Sequence, residues 1–294
     1  MSALSQPLVW FITGTSAGFG SILAKTALAR GDRVIASARS LDKIKHLESD
    51  NCRTLQLDVT DTEEAIKASA KEAIDFWGRV DVVVNNAGIG APGIAEEVGA
   101  AGFLKQFQTN FFGAINVTNA FLPYMRAAKS GTVVFIGSRH AWMTRNPTLR
   151  PYNSSKAALH AYAETLQNEI KQFGIRVFIA QPGAHRTDVI TTSISNNLTR
   201  EKIPDYEDMR AALAARYWKQ NGMQPGDPEK AMSAVVDVVR GEGVAEGRTM
   251  PLWLVLGTDA EQDLRDFCAD RLKNLDEWQD VTRGCAVNGE FVLV

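Results

Sequence analysis

"LVWFITGTSAGFG" (Leu8–Gly20) is the stretch on which the fold turns. A short apolar run, Leu8–Ile12, passes directly into "TGTSAGFG", with glycines at 14, 18 and 20, and a helix-length segment, Gly18–Arg30, follows. This is not a P-loop, because no Lys-Ser/Thr pair follows the last glycine. It is one residue longer than G-x-G-x-x-G, yet each glycine has a matching physical job. Gly14 turns the chain off the strand, Gly18 lets backbone approach a pyrophosphate, and Gly20 lets the helix pack closely on the sheet. The helix N-terminus offers unpaired N–H groups and a positive dipole end to phosphate oxygens. A plain glycine-rich turn is the rival reading, and the strand–turn–helix setting weighs against it.

Outward from this unit, short β-rich runs alternate with helix-length segments. The expected strands are Leu8–Ile12, Arg33–Ala36, Thr54–Leu57, Val80–Val84, Thr132–Ile136, Ile175–Ala180 and Pro251–Leu256. Continuous apolar runs such as "VDVVV" and "GTVVFIG" suit strands buried on both faces of a parallel sheet. The expected helices are Gly18–Arg30, Thr62–Trp77, Gly102–Ala128, Tyr152–Phe173 and Pro228–Val239. The alternation predicts an α/β fold, a Rossmann-type doubly wound parallel sheet of about seven strands with helices on both faces. No repeat or linker divides the chain, so residues 1–294 read as a single dinucleotide-binding catalytic domain.

Two later segments depart from simple alternation. Pro204–Gly222 starts with a proline, has acids in its first turn and ends in glycine, with an apolar stripe of Tyr206, Met209, Leu213 and Tyr217. After Thr258, "TDAE" reads as a capping box with Glu261, opening a helix with Leu264, Phe267, Cys268, Leu275 and Trp278 at helical spacing. Residues 258–294 therefore form a C-terminal helical extension.

Composition narrows the function. The chain of 294 residues is 45% hydrophobic and 22% charged, with a net charge of −2 and no Lys/Arg block. Those are ordinary globular values, and the footprint of a nucleic-acid binder is missing. The three scattered cysteines, Cys52, Cys268 and Cys285, match neither a disulfide framework nor a zinc site and suit a reducing compartment. The N-terminus has no signal-peptide pattern, and no apolar run is long enough to span a membrane. A cytoplasmic protein is expected. His140 and His185 lack metal-ligand spacing, so no metal is expected.

The remaining signals gather at the carboxyl ends of the expected strands, where open α/β sheets bind ligands. After the second strand come Ser37, Ala38, Arg39 and Ser40, with no carboxylate, while Asp32 lies at the opposite end. An acid here would bond a ribose 2′-hydroxyl, whereas Arg39 offers a charge-assisted fork to a 2′-phosphate, so NADP(H) is expected over NAD. "NNAG" (Asn85–Gly88) follows "VDVVV", and Ser138 ends "GTVVFIGS". In "PYNSSKAAL" (Pro151–Leu159), Tyr152 and Lys156 project from one helix face, one turn apart.

Together these residues resemble the short-chain dehydrogenase/reductase family in its common one-domain type. The matching pattern is Thr13-Gly14-x3-Gly18-x-Gly20, Asp58, Asn85-Asn86-Ala87-Gly88, Asn110, Ser138, Tyr152-x3-Lys156 and Pro182-Gly183-x3-Thr187. The C-terminal segment also resembles fungal-like tailoring reductases of microbial secondary metabolism. The resemblance implies that Gly14, Thr15, Ser16, Gly18, Phe19, Gly20, Arg39, Ser40, Asp58, Val59, Asn86, Ala87, Gly88, Tyr152, Lys156, Pro182, Gly183 and Thr187 line the cofactor. It further implies that Lys156 bonds the nicotinamide ribose, that Ser138 holds the substrate oxygen, and that Asn110 holds a water in a proton relay. A homodimer or homotetramer built on the Tyr152 helix, with its small residues Ala157, Ala158, Ala161 and Ala163, follows from the same likeness.

The residue chemistry is consistent with reduction of a ketone or aldehyde, reversible as oxidation of a secondary alcohol. The cofactor carries the hydride, and a side chain must supply the proton. A phenol with a pKa of about 10 is sluggish in that task near neutrality, and an adjacent ammonium is expected to lower it. The segment 188–226 is expected to be a substrate lid, and its stripe, with Trp142 and Met143, suits a bulky apolar or aromatic small molecule such as a natural-product intermediate. Ordinary packing explains the stripe equally well. Arg139, His140, Arg145 and Arg150 read as a solvated loop, with capture of an anionic substrate as the alternative. A redox-neutral or multistep transformation in the same pocket, or an NADP(H)-sensing regulator without turnover, remain rival functions.

Overall fold

The computed structural model describes residues 6–145, 147, 149–188, 192–193, 198 and 201–287. Seven strands form one parallel sheet: β1 (Val9–Thr13), β2 (Arg33–Ala38), β3 (Cys52–Gln56), β4 (Val82–Asn85), β5 (Gly131–Ile136), β6 (Ile175–Pro182) and β7 (Trp253–Leu256). Their spatial order is β3-β2-β1-β4-β5-β6-β7. The order reverses between β1 and β4, and a parallel sheet opens a crevice at the carboxyl ends of such a pair.

Strand periodicity divides the core into two layers, because successive side chains point to opposite faces. Val9 and Phe11 face one layer with Ile66 and Ala70 of α2 (Glu63–Trp77). Val117 and Phe121 of α4 (Gly113–Ala128) and Leu159 and Leu166 of α5 (Arg150–Ile170) complete that side. Trp10 and Ile12 face the other layer, against Leu23 and Ala27 of α1 (Gly18–Ala29) and Met232 and Val236 of α7 (Pro228–Arg240). Asp32 is buried at the amino end of β2, accepting from Leu8 N (2.9 Å) and Trp10 Nε1 (2.8 Å) and pairing with Arg240. It staples the edge remote from the crevice.

The structure refines the expectations at several local points. The single helix foreseen over Gly102–Ala128 is α3 (Ala95–Phe107), a π-helical turn (Gln108–Phe112) and α4, with Gly99 (φ +60°) kinking α3. The π turn sits where the Asn110 side chain is bonded away from its own helix, a usual setting for such bulges. The capping box at Thr258 does not form: α8 (Thr258–Glu277) has Gly257 (φ +117°) at its N-cap without a side-chain cap, and Glu261 pairs with Arg265. Of the apolar residues at helical spacing here, Leu264 and Phe267 are half-buried, Cys268, Leu275 and Trp278 are exposed, and Ala260 is the buried residue of α8. The stripe on α6 (Glu207–Gln220) likewise buries Leu213 while Met209 is 40% exposed. No helix of the described residues is long and apolar enough to cross a membrane.

Candidate active site

The glycine turn is built against the loop after β4. Thr13 Oγ1 donates to Val84 O (3.1 Å) and accepts from Asn86 N (3.0 Å) and Ala87 N (2.9 Å). Asn86 Nδ2 returns bonds to Thr13 O (2.8 Å) and Gly14 O (3.1 Å). Gly14 has φ +72°, and a Cβ on Gly20 would lie 2.4 Å from both Asn86 Nδ2 and Gly14 O. Gly20 is thus demanded by the turn folding back on itself, more than by the helix meeting the sheet. Gly18 (φ +57°) has nothing within 4 Å of its Cβ position and opens on a cavity of about 370 Å³ lined also by Ser21, Ile22, Arg186, Thr187 and Gln224. The first turn of α1 carries no acid and no side-chain cap. Its N–H groups therefore fit an anionic phosphate.

The other expected cofactor residues fall along the same edge. Ser16 is exposed, Phe19 packs edge-on to His185 with ring centroids 5.3 Å apart, and Thr15 is buried with its hydroxyl on Ser37 O (3.1 Å). Arg39 is exposed at the end of β2 beside half-buried Ser40, with no ion pair among the described residues. Asp58 accepts from Thr60 N (2.9 Å) and Oγ1 (2.8 Å), and Val59 is buried against Gly113. A Cβ on Gly88 would meet Asn110 Oδ1 at 3.4 Å. Pro182 ends β6, Gly183 follows, and Thr187 N bonds His185 O (2.9 Å).

At the centre stand Ser138 and Tyr152. Ser138 follows β5 and caps a short 3-10 turn (Arg139–Ala141), its Oγ accepting from His140 N (3.1 Å). The Tyr152 phenol lies near enough to Ser138 for the serine to favour its charged form. Lys156 is buried one turn along α5, its Nζ 5.8 Å from the Tyr152 ring centroid and donating to Ile136 O (2.7 Å). Asn110 accepts from Ile89 N (2.8 Å) and donates to Ile89 O (3.0 Å) and Ser155 Oγ (3.2 Å), while Ser155 Oγ donates to Tyr152 O (2.8 Å). A continuous chain of bonds therefore links the π turn to the backbone of Tyr152.

The electrostatics differ from expectation at one point. Burial pushes the Tyr152 phenol above its ordinary value, and the nearby Ser138 hydroxyl opposes this. The expected downward pull of Lys156 on the phenol does not dominate. Burial also pushes the Lys156 amine down, to about 8. A phenol held protonated near neutrality is a proton donor.

Several participating residues carry no motif. His160, one turn beyond Lys156, accepts from Ser138 N through Nε2 at 3.2 Å. Its signal was a third polar residue at the four-residue spacing of Tyr152 and Lys156. Asp259 of α8 binds Arg139 (2.7 Å) and Ala184 N (2.8 Å), so it joins the turn after Ser138 to the loop after Pro182. Asp263 and Asp270 extend this acidic face to Arg139 (3.0 Å) and Arg145 (2.6 Å). Arg139 is thus held in a partly buried ion pair, whereas Arg145 and its partner Asp270 stay exposed, as the solvated-loop reading expects. Trp142 packs on His160 at 5.8 Å. Buried Glu97 of α3 pairs with Arg210 of α6 and accepts from Ile203 N (2.8 Å), latching α6 over this edge. Part of the expected lid is outside the described residues, namely 189–191, 194–197 and 199–200, as are the terminal residues 288–294.

Comparison with known proteins agrees with this geometry. The family model of short chain dehydrogenases matches residues 8–198. The chain belongs to the short-chain dehydrogenase family. Among relatives of this short-chain dehydrogenase, the oxidoreductase BOA17 of Botryotinia fuckeliana is 32% identical over 283 residues, covering 95% of this chain and 99% of that protein. The uncharacterized oxidoreductase YusZ of Bacillus subtilis is 34% identical over 232 residues, covering 76% and 81% respectively. A solved short-chain dehydrogenase from Streptomyces avermitilis superposes with a TM-score of 0.83 at 35% identity, covering 96% of this chain and 100% of that one. Fungal oxidoreductases thus stand among the relatives of this short-chain dehydrogenase, as the likeness to tailoring reductases implied.

Proposed function

We propose that the chain is an NADPH-dependent carbonyl reductase, reversible as an alcohol dehydrogenase, acting on a bulky apolar or aromatic ketone or aldehyde. The observation that carries this reading is the grouping of Ser138 and Tyr152 at the carboxyl edge of the sheet, with the Lys156 ammonium 5.8 Å from the Tyr152 ring, one helical turn away. NADPH, when bound, supplies the hydride. Ser138 holds the carbonyl oxygen and stabilises the negative charge that grows there. Tyr152 gives its phenolic proton to that oxygen, and its raised pKa keeps the proton in place until charge develops. Lys156 then faces a forming phenolate and stabilises it, and its amine also binds the cofactor ribose. Asn110, tied through Ser155 to the Tyr152 backbone, holds the helix start and a relay water.

NADPH is favoured over NADH by exposed Arg39, which has no ion pair among the described residues, and by the burial of Asp32 at the opposite edge. The segment 188–226 acts as the lid, latched by Glu97 and Arg210, within a single catalytic domain that carries 258–294 as an extension. Exposed Ala157 and Ala161 on α5 suit self-association as a homodimer or homotetramer. The free thiols, buried Cys52 and exposed Cys268 and Cys285, fit a reducing, cytoplasmic setting. The test is NADPH oxidation across small, aromatic and polycyclic ketones, with product identification. Turnover of at least one ketone to its alcohol is expected. Tight NADPH binding with no turnover across the panel would favour a sensor.

A further inference from the structure

Ser138 must present its hydroxyl at a fixed point if it is to hold a substrate oxygen, yet it sits just beyond the end of β5, where the ladder no longer holds it. Its backbone N–H is instead bonded to a side chain, His160 Nε2, at 3.2 Å. Gly137 makes room for this: a Cβ there would lie 2.2 Å from His160 Nε2. Trp142 closes the other side of the imidazole, which is buried.

The hydrogen bonds define the protonation of that ring. A neutral imidazole has one N–H and one bare nitrogen. Since Nε2 accepts from Ser138 N, the proton belongs on Nδ1, and the Gln181 amide atom facing Nδ1 at 3.3 Å must be an acceptor. Gln181 Oε1 is otherwise buried without a partner. The two ends of an amide are isosteric, so turning Oε1 toward Nδ1–H satisfies both groups at once. The result is a directed chain in which Ser138 N–H donates to His160, and His160 Nδ1–H donates to Gln181. Protonation of Nε2 would set two donors against each other. Burial and the nearby Lys156 charge guard against it by pushing the imidazole down to about 3.

We propose that His160, held in its Nδ1–H tautomer by Gln181, is a positioning residue that fixes the backbone of Ser138 for substrate-oxygen binding. This rests on the reading of Ser138 as the oxygen holder. Tyr152, Lys156 and His160 then form three successive turns of one helix face with three tasks: proton donor, charge partner and anchor of the serine.

The direct test is ¹⁵N NMR of the imidazole in the full chain, assigned by loss of its signals in His160→Gln. A bare Nε2 and a protonated Nδ1 are expected from about pH 5 to about pH 8. An Nε2–H tautomer, or a titration inside that window, would overturn the proposal. Kinetics on the fastest ketone of the panel gives a second readout. Glutamine can place an acceptor near the Nε2 position and asparagine cannot. His160→Gln should keep kcat within about fivefold, whereas His160→Asn should lose at least about tenfold in kcat with KM and the NADPH Kd nearly unchanged. Adding His160→Asn to Ser138→Ala should cost nothing further. Equal damage from Gln and Asn, or full additivity with Ser138→Ala, would contradict the positioning role. Full turnover by Ser138→Ala alone would instead remove the reading of Ser138, while the tautomer stands on its own measurement.

Discussion

The guanidinium of Arg139 lies 2.7 Å from the carboxylate of Asp259, and this contact couples the turn carrying Ser138 to the first residues of α8. The same carboxylate takes the Ala184 N–H at 2.8 Å, so one side chain braces both walls of the cleft. Asp259→Ala should cost about 1–3 kcal/mol in urea denaturation, because it strands a partly buried charge and a backbone donor. Asp270→Ala removes an exposed partner of Arg145 and should cost no more than about 1 kcal/mol. Equal midpoints for the two variants would deny the brace.

Gly20→Ala tests the glycine turn. Its Cβ would strike Asn86 Nδ2 and Gly14 O, both at 2.4 Å, and so break the bonds by which Asn86 closes the loop. Overpacking of this kind costs about 1–3 kcal/mol, and NADPH affinity should fall at least about tenfold. Gly18→Ala meets no atom within 4 Å but must adopt φ +57°, a strain of about 1–2 kcal/mol. Fluorescence titration with NADPH and thermal denaturation of both variants decide the matter. Unaltered binding by Gly20→Ala would show that the turn tolerates a side chain.

The alternation of strands and helices was legible because the strands are buried on both faces and therefore read as continuous apolar runs, as in "VDVVV". The site was legible where backbone geometry or chemistry restricts residue type, as at Gly14, Gly18, Ser138, Tyr152 and Lys156. What escaped was set by contacts between distant segments. The break at Gln108–Phe112 depends on Asn110 bonding Ile89 and Ser155, which local periodicity does not encode. In α8 the apolar positions drew attention, yet the residues in use are the acids Asp259, Asp263 and Asp270, whose partners lie more than a hundred positions earlier. The upward shift of Tyr152 is not legible in spacing, which reveals a neighbouring charge and not the burial of the phenol.

Lys156 gives a pH signature with a definite sign. Burial lowers its folded-state pKa from 10.5 to about 8. Below about pH 8 the amine is charged both folded and unfolded, and its burial is a constant cost. Between about 8 and about 10.5 the folded state sheds the proton that the unfolded chain keeps, so this cost is relieved as pH rises. Relative to Lys156→Met, the wild type should therefore gain stability above about pH 8, by at most about 1.4 kcal/mol per pH unit. NADPH affinity should move the other way, weakening as the ammonium is lost, and Lys156→Met should flatten that dependence. Parallel pH dependence in the two proteins would contradict the assignment.

Arg39→Asp replaces the proposed partner of a 2′-phosphate with a group suited to a ribose 2′-hydroxyl. The ratio of kcat/KM for NADPH over NADH should fall at least about tenfold. An unchanged ratio would place cofactor discrimination elsewhere.

Turnover and cofactor binding measured side by side in Tyr152→Phe address the central claim most directly. Removing one hydroxyl should leave the NADPH Kd within about threefold of wild type while kcat for ketone reduction falls by about two to four orders of magnitude. A variant that reduces the ketone at the wild-type rate would show that the proton comes from another group.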